Sequence, residues 1–294
     1  MINFRYHLVS IAAIFLALAA GVALGSGPLD NAKNILGDSK STAAPVDQSD
    51  LAGFESAYAK KTGTSLIAGK LKGESVAIFT LPGARPNQVR GVKSAMRSGG
   101  ATVTGEVSLT SKLLDSASRQ FAEGVTQQAA KGVQGVATTG DSYLQVGSAL
   151  GRAYFAKKTT KVDASASTIS AAFAEGKLIS VAAKPTQLAS IAVIVAGPNP
   201  ADGNQGQGDI VAQIASGFDT QAMGTVLAGP SASSQDSGFL QVLRASDAAS
   251  KVSTIDVSDS AAGQLITVLV AAREIDNNAG SFGTSRSADG SMPN

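Results

Sequence analysis

From Leu8 to Leu24 no charged side chain interrupts the chain, and Ser10 carries the one hydroxyl of the run. As a helix such a run crosses most of a hydrocarbon core, which takes about 20 apolar residues. The apolar stretch of a cleaved export signal is shorter, about 7 to 15 residues, and ends at small residues. Ala17-Leu18-Ala19 offers such a site, but the apolar run continues past it. The pattern therefore predicts a retained membrane anchor over residues 8–25, centred near Phe15, after a short cytoplasmic N-terminus of residues 1–7. Arg5 precedes the run, whereas Asp30, Lys33, Asp38 and Lys40 balance one another after it. The excess of positive charge before the run places the N-terminus in the cytoplasm and the rest of the chain outside, in the cell envelope. Gly21 and Gly25 form a G-x-x-x-G pair that permits close helix approach. Glycine is also simply common in such helices.

Residues 26–72 read as a linker and a short amphipathic helix. "SGPLDNAKNILGDSKSTAAPVDQS" is rich in turn formers. "SDLAGFESAYAKKTG" then sets Leu51, Phe54 and Tyr58 on one helical face, with Asp50 able to cap its start and Gly63 beyond its end.

Past residue 73 the period changes. "ESVAIFTLPGA" is a compact β-branched and aromatic run that stops at Pro82-Gly83, as a buried strand does. "PNQVRGVKSAMRSGG" carries the stripe Val89, Val92, Met96, and "ATVTGEVSL" gives a second strand, so the three make a βαβ unit with parallel strands. The stretch from Ser111 to about Lys184 reads as helices covering one face of a sheet. Strand and helix signals then alternate again: "LASIAVIVAGPNP", "GDIVAQIASGF", "AMGTVLAGP", "SGFLQVLRAS", "KVSTIDVS" and "AAGQLITVLVAAREI". Five strands alternating with helices predict an α/β domain over residues 73–277, a doubly wound, mainly parallel sheet with helices on both faces. Residues 278–294 lack periodicity and read as a flexible tail. The short apolar runs separated by helices do not match the many alternating ten-residue segments of an outer-membrane barrel.

Composition narrows the chemistry. Hydrophobic residues make up 44% of the 294-residue chain and charged residues 16%, which suits a packed core. Net charge is +2, with basic and acidic residues interspersed, so nothing points to nucleic acid. There is no cysteine, hence no disulfide framework and no thiolate ligand. His7 is the one histidine, and it sits at the cytoplasmic lip of the predicted anchor, away from any outward-facing site.

In open α/β sheets ligands lie beyond the carboxyl ends of the strands, which directs attention to Pro82 and Gly83, Gly197 and Asn199, and Gly229. Gly203, Gly206 and Gly208 follow a strand, but their spacing is not the dinucleotide fingerprint. Asp202, Asp209, Asp236 and Asp259 are scattered over separate loops, where aspartate ordinarily forms turns and caps. Ser231, Ser233 and Ser234 have no base nearby in sequence to activate them. The expectation is a domain that is not an enzyme and carries no resident cofactor.

"RYHLVSIAAIFLALAAGVALGSG" resembles the opening of the actinobacterial MctB family. The likeness continues in "VAIFTLPGA" and in "GQLITVLVAAREIDNNAGSFG", where Phe282 stands in place of a family tyrosine. The resemblance implies a cell-envelope protein connected with copper transport or homeostasis. It also implies kinship with SteB-type members, which act with the membrane partner SteA in cell-wall assembly and division. The role expected from the resemblance is thus copper physiology, with a docking scaffold as the alternative. The expected partners are the membrane and either a second copy or a membrane protein. Copper itself finds few soft donors beyond the initiator: Met96, Met223 and Met292, none closely spaced.

Overall fold

The computed structural model describes residues 48–198, 206–235 and 237–293. The predicted anchor, with Arg5, His7, Ser10, Phe15, Gly21 and Gly25, lies outside these. Among the described residues no helix is long and apolar enough to cross a membrane.

The chain runs α1 (Gln48–Ile67), β1 (Ser75–Thr80), α2 (Pro86–Ser98), β2 (Thr102–Leu109), α3 (Arg119–Ala129), α4 (Ser142–Tyr154), α5 (Ala164–Glu175), β3 (Ile179–Ala183), β4 (Ile191–Val195), α6 (Gln207–Asp219), β5 (Gly224–Ala228), α7 (Phe239–Arg244), β6 (Val252–Ile255), α8 (Ala261–Glu274) and β7 (Ser281–Phe282). Its strands form one seven-stranded sheet in the order β3-β2-β1-β4-β5-β6-β7. All neighbours are parallel except β2 and β3.

β1, β4, β5 and β6 are buried along their whole length, as parallel strands covered on both faces must be. Their alternate residues feed two cores. Ala77, Phe79, Ala192, Ile194 and Leu227 join side chains from α3 to α7, and Phe79 packs among Tyr154, Phe155 and Phe218 with ring centroids 4.7–5.6 Å apart. Val76, Ile78, Val193 and Val226 join Val89, Val92 and Met96 of α2 and Val268 of α8 on the opposite face. Local caps agree with this arrangement. Asp141 accepts from Tyr143 N–H at 2.7 Å, Asp163 from Ala166 N–H at 2.7 Å, and Ser260 from Gly263 N–H at 3.0 Å, at the starts of α4, α5 and α8.

Three local readings differ from expectation. The predicted all-helical stretch ends in β3, an antiparallel edge strand whose mostly exposed residues lack a buried-strand run. Residues 278–293, read as a flexible tail, hold β7 against β6, with Thr254 N–H donating to Gly280 O at 2.9 Å and Asp256 N–H to Phe282 O at 3.1 Å. Helix α1 faces the other way from its apolar stripe: Ser56, Ala59, Gly63 and Ile67 turn toward the domain, and Phe54 and Tyr58 turn out. Small residues at Ser56, Ala59 and Gly63 let the helix lie close, with Gly63 against Leu265 of α8, and Ile67 enters the core at its end.

Candidate functional site

After β1 the chain moves outward to β2 and β3, then returns to place β4 on the other side of β1. The strand order reverses there, and the carboxyl ends of β1 and β4 flank the crevice where such sheets bind ligands. Pro82 and Gly83 leave β1 at this point, Gly197 leaves β4, and Gly229 leaves the neighbouring β5. These four predicted residues thus come to one edge of the sheet; Asn199 lies outside the described residues.

The crevice between β1 and β4 is closed by the protein itself. Gly83 takes a left-handed backbone (φ 84°), and a methyl group on Gly197 would overlap the Gly83 carbonyl, so the two loops touch backbone to backbone. Leu81 N–H donates to Val195 O (2.9 Å), Ala196 N–H to Ala228 O (2.8 Å) and Gly229 N–H to Ile255 O (2.8 Å). Gln88, in the first turn of α2, reaches under the loops and donates from Nε2 to Ala196 O at 3.1 Å and to Ser258 Oγ at 2.8 Å. Gln88 and Ser258 are buried, and Gln88 Oε1 has no hydrogen-bond partner among the described residues. Sequence reading missed both, since a single glutamine on a helix start carries no pattern.

Open space lies beside this crevice. A groove of about 600 Å³ runs between α1, α2 and α8, lined by Lys60, Asn87, Arg90, Ser94, Asp259 and Gln264 among others. It is polar, with two cations against one carboxylate.

One buried cluster joins the carboxyl end of β6 to the C-terminal segment. Arg244, at the end of α7, donates to Asp256 Oδ2 (2.9 Å), Thr254 Oγ1 (2.7 Å), Ser285 Oγ (2.6 Å), Ser287 Oγ (3.0 Å) and Phe282 O (2.9 Å). Asp256 accepts in turn from Thr284 N–H at 2.7 Å and Ser285 N–H at 3.2 Å. Burial pushes the Asp256 carboxyl up, yet the hydrogen bonds from Thr284 and Ser285 and the Arg244 guanidinium outweigh it and hold it below its ordinary value.

The opposite end of the sheet holds two acids, Glu274 and Asp219. Glu274 is buried under β5 and β6, where its Oε1 accepts from Ser253 N–H at 2.8 Å. Burial, with a smaller contribution from Asp219, pushes its carboxyl up to about 7. Burial also lifts Asp219 to about 6, against the pull of Lys157 and Lys251.

None of these arrangements supplies a nucleophile with a base beside it. Ser233 Oγ donates to Pro230 O at 2.6 Å, a turn contact. Among the described residues no three His, Cys, Asp or Glu side chains come together to hold a metal ion. Met96 is wholly buried in the core and Met292 is exposed at the far end of the chain.

Comparison with known proteins extends over nearly the whole chain. A family model described as copper transport outer membrane protein, MctB, matches residues 1–293. Copper transporter MctB of Mycobacterium tuberculosis is 29% identical over 310 aligned positions, covering 98% of each chain, and its Mycobacterium bovis counterpart matches equally well. Copper transporter MctB of Mycobacterium leprae is 30% identical over 92% of each chain.

Proposed function

The chain belongs to the MctB family, and from that premise we propose that it is a membrane-anchored protein of the cell envelope that serves copper transport without catalysing a reaction. The observation that carries the proposal is the extent of the match, which takes in both the apolar N-terminal run and the α/β domain. The apolar run supports a single pass with the N-terminus in the cytoplasm and the domain outside.

The donor set sets limits on how copper is served. Cu(I) prefers thiolate and thioether, and Cu(II) prefers imidazole. The chain has no cysteine, its one histidine lies before the domain, and Met96 is enclosed in the core. In this reading copper is cargo, and the domain acts by positioning other envelope components rather than by ligating the ion. A scaffold that docks partners during cell-wall assembly is the second reading. The polar groove along α1, α2 and α8 favours it, because it offers a partner surface beside a closed crevice.

Deletion of the gene in its own host, with restoration by the full chain or by a chain lacking residues 1–25, tests both. Altered copper tolerance and cell-associated copper, restored by the full chain alone, is the expected result. Normal copper handling with a defect in division or wall assembly replaces the first reading with the second.

A further inference from the structure

Helix α1 meets its own domain through Ser56, Ala59, Gly63 and Ile67 and leaves its two aromatic side chains outside. Phe54 is 66% exposed and Tyr58 62%, the two rings stacked with centroids 6.2 Å apart. At 100° per residue, Phe54, Tyr58, Lys61 and Ser65 form one row with the alternating four- and three-residue spacing of a two-helix seam. The opposite row, Ser56, Ala59, Gly63 and Ile67, is already used against the domain.

We infer that the outward row of α1 pairs with the same row of a second copy of this chain, in antiparallel orientation. Charge selects both the occupant and the direction. The first turns of α1 carry Asp50 and Glu55, and Lys61 stands in the outward row of the later turns, while Lys60 lines the groove toward α2 and α8. In a parallel pair Lys61 would stand in the seam opposite its own copy, an unfavourable like-charge contact. Turned antiparallel about the Phe54–Tyr58 pair, each ring row meets the other and Lys61 falls near the acidic start of the partner helix. The face is therefore complementary to itself, as a twofold interface requires. Residues 26–47 span up to about 70 Å when extended, enough for two helices about 30 Å long to lie antiparallel with both N-termini at one surface. Two helices of this length bury less than the roughly 800 Å² a side of a stable free-standing complex. The pairing thus draws on both chains being held in one membrane, and to that extent rests on the anchored reading above.

The chain lacks cysteine, so an introduced thiol reports a single position. The experiment uses full-length chains in native membranes under mild oxidation. Ala57→Cys, beside the aromatic pair and near the twofold axis, is expected to give a disulfide-linked dimer. Ser65→Cys, far from the axis, and Lys131→Cys, on a distant exposed loop, are expected to give none. Adding Phe54→Glu and Tyr58→Glu to Ala57→Cys is expected to remove the dimer while the melting temperature stays within 1–2 °C, about that of a neutral surface change. A cross-link at Ser65 without one at Ala57 overturns the antiparallel pairing. No cross-link at Ala57, or one to a different protein, overturns pairing between copies. Fractionation of the same cells reports on the anchor separately. If the chain is soluble the anchored reading fails, and the Ala57 cross-link still decides whether the helices pair.

Discussion

Asp256, just past the carboxyl end of β6, and Glu274, the last residue of α8 beneath the amino ends of β5 and β6, are both buried acids, yet one is held charged and the other is pushed toward neutrality. Asp256 has a guanidinium and two backbone N–H groups around it. Glu274 has the Ser253 N–H and a second carboxylate, Asp219, in its surroundings. Both side chains are shut off from solvent, but Glu274 is the more deeply desolvated and has no cation beside it, so depth and partners together decide the charge state. The carboxyl end of the sheet is locked by charge, and the amino end tolerates its acid by raising its affinity for a proton.

Replacing Arg244 by Met should break the comparison most severely. It leaves Asp256 buried without a cation, which costs about 3–5 kcal/mol, read as a lower urea midpoint. The double change Arg244→Met with Asp256→Leu should recover most of the loss, and failure to recover would show that the hydroxyl contacts matter more than the charge pair.

The pH dependence sharpens it next. The folded-state value of Glu274, about 7, lies above its ordinary 4.5. Its contribution to stability is therefore complete below about pH 4.5 and is lost as pH rises through about 7, a change of roughly 3 kcal/mol. Asp256, lowered from 3.8, contributes with the opposite sign: its stabilisation is present above that value and lost as pH falls below it. Chemical denaturation from pH 3 to pH 8 should show a maximum between the two limbs, and Glu274→Gln should shrink the neutral limb to the part that Asp219, lifted to about 6, still supplies, leaving the acid limb in place.

Gly283 offers a smaller test of the locked end. It has a backbone of φ 131°, and a methyl group there would overlap the Asp256 carboxylate. Gly283→Ala should cost about 2 kcal/mol, a fall in melting temperature of roughly 4–8 °C for a domain of this size. Gln88→Met should have the least effect, about 1 kcal/mol. It gives up two hydrogen bonds and at the same time removes the unpartnered Oε1.

The strands that were legible in the sequence are those whose burial is continuous. β1, β4 and β5 announce themselves because both faces need apolar side chains, and the helix stripe Val89, Val92, Met96 likewise points into a core. β3 was hidden because an edge strand needs little apolar content. β7 was hidden because polar groups secure it: Arg244 donates to Phe282 O, and Ser281 N–H donates to Asp289 Oδ2 at 2.7 Å. Periodicity carries no trace of such bonds. The α1 stripe was legible as amphipathic, but a sequence does not say whether an apolar face is used within the chain or offered outside it. At the candidate site the strand-end glycines were visible as turn signals, whereas Gln88 and Ser258 owe their roles to a contact across 170 positions of sequence.

The cluster that ties Arg244 and Asp256 to residues 282–287 also makes one stretch of chain the cover of another. If residues 282–287 lift away, the acid and base lose their shell and return to water together, so opening of this stretch and exposure of the charge pair are one event, which amide hydrogen exchange at Thr284 and Ser285 would report.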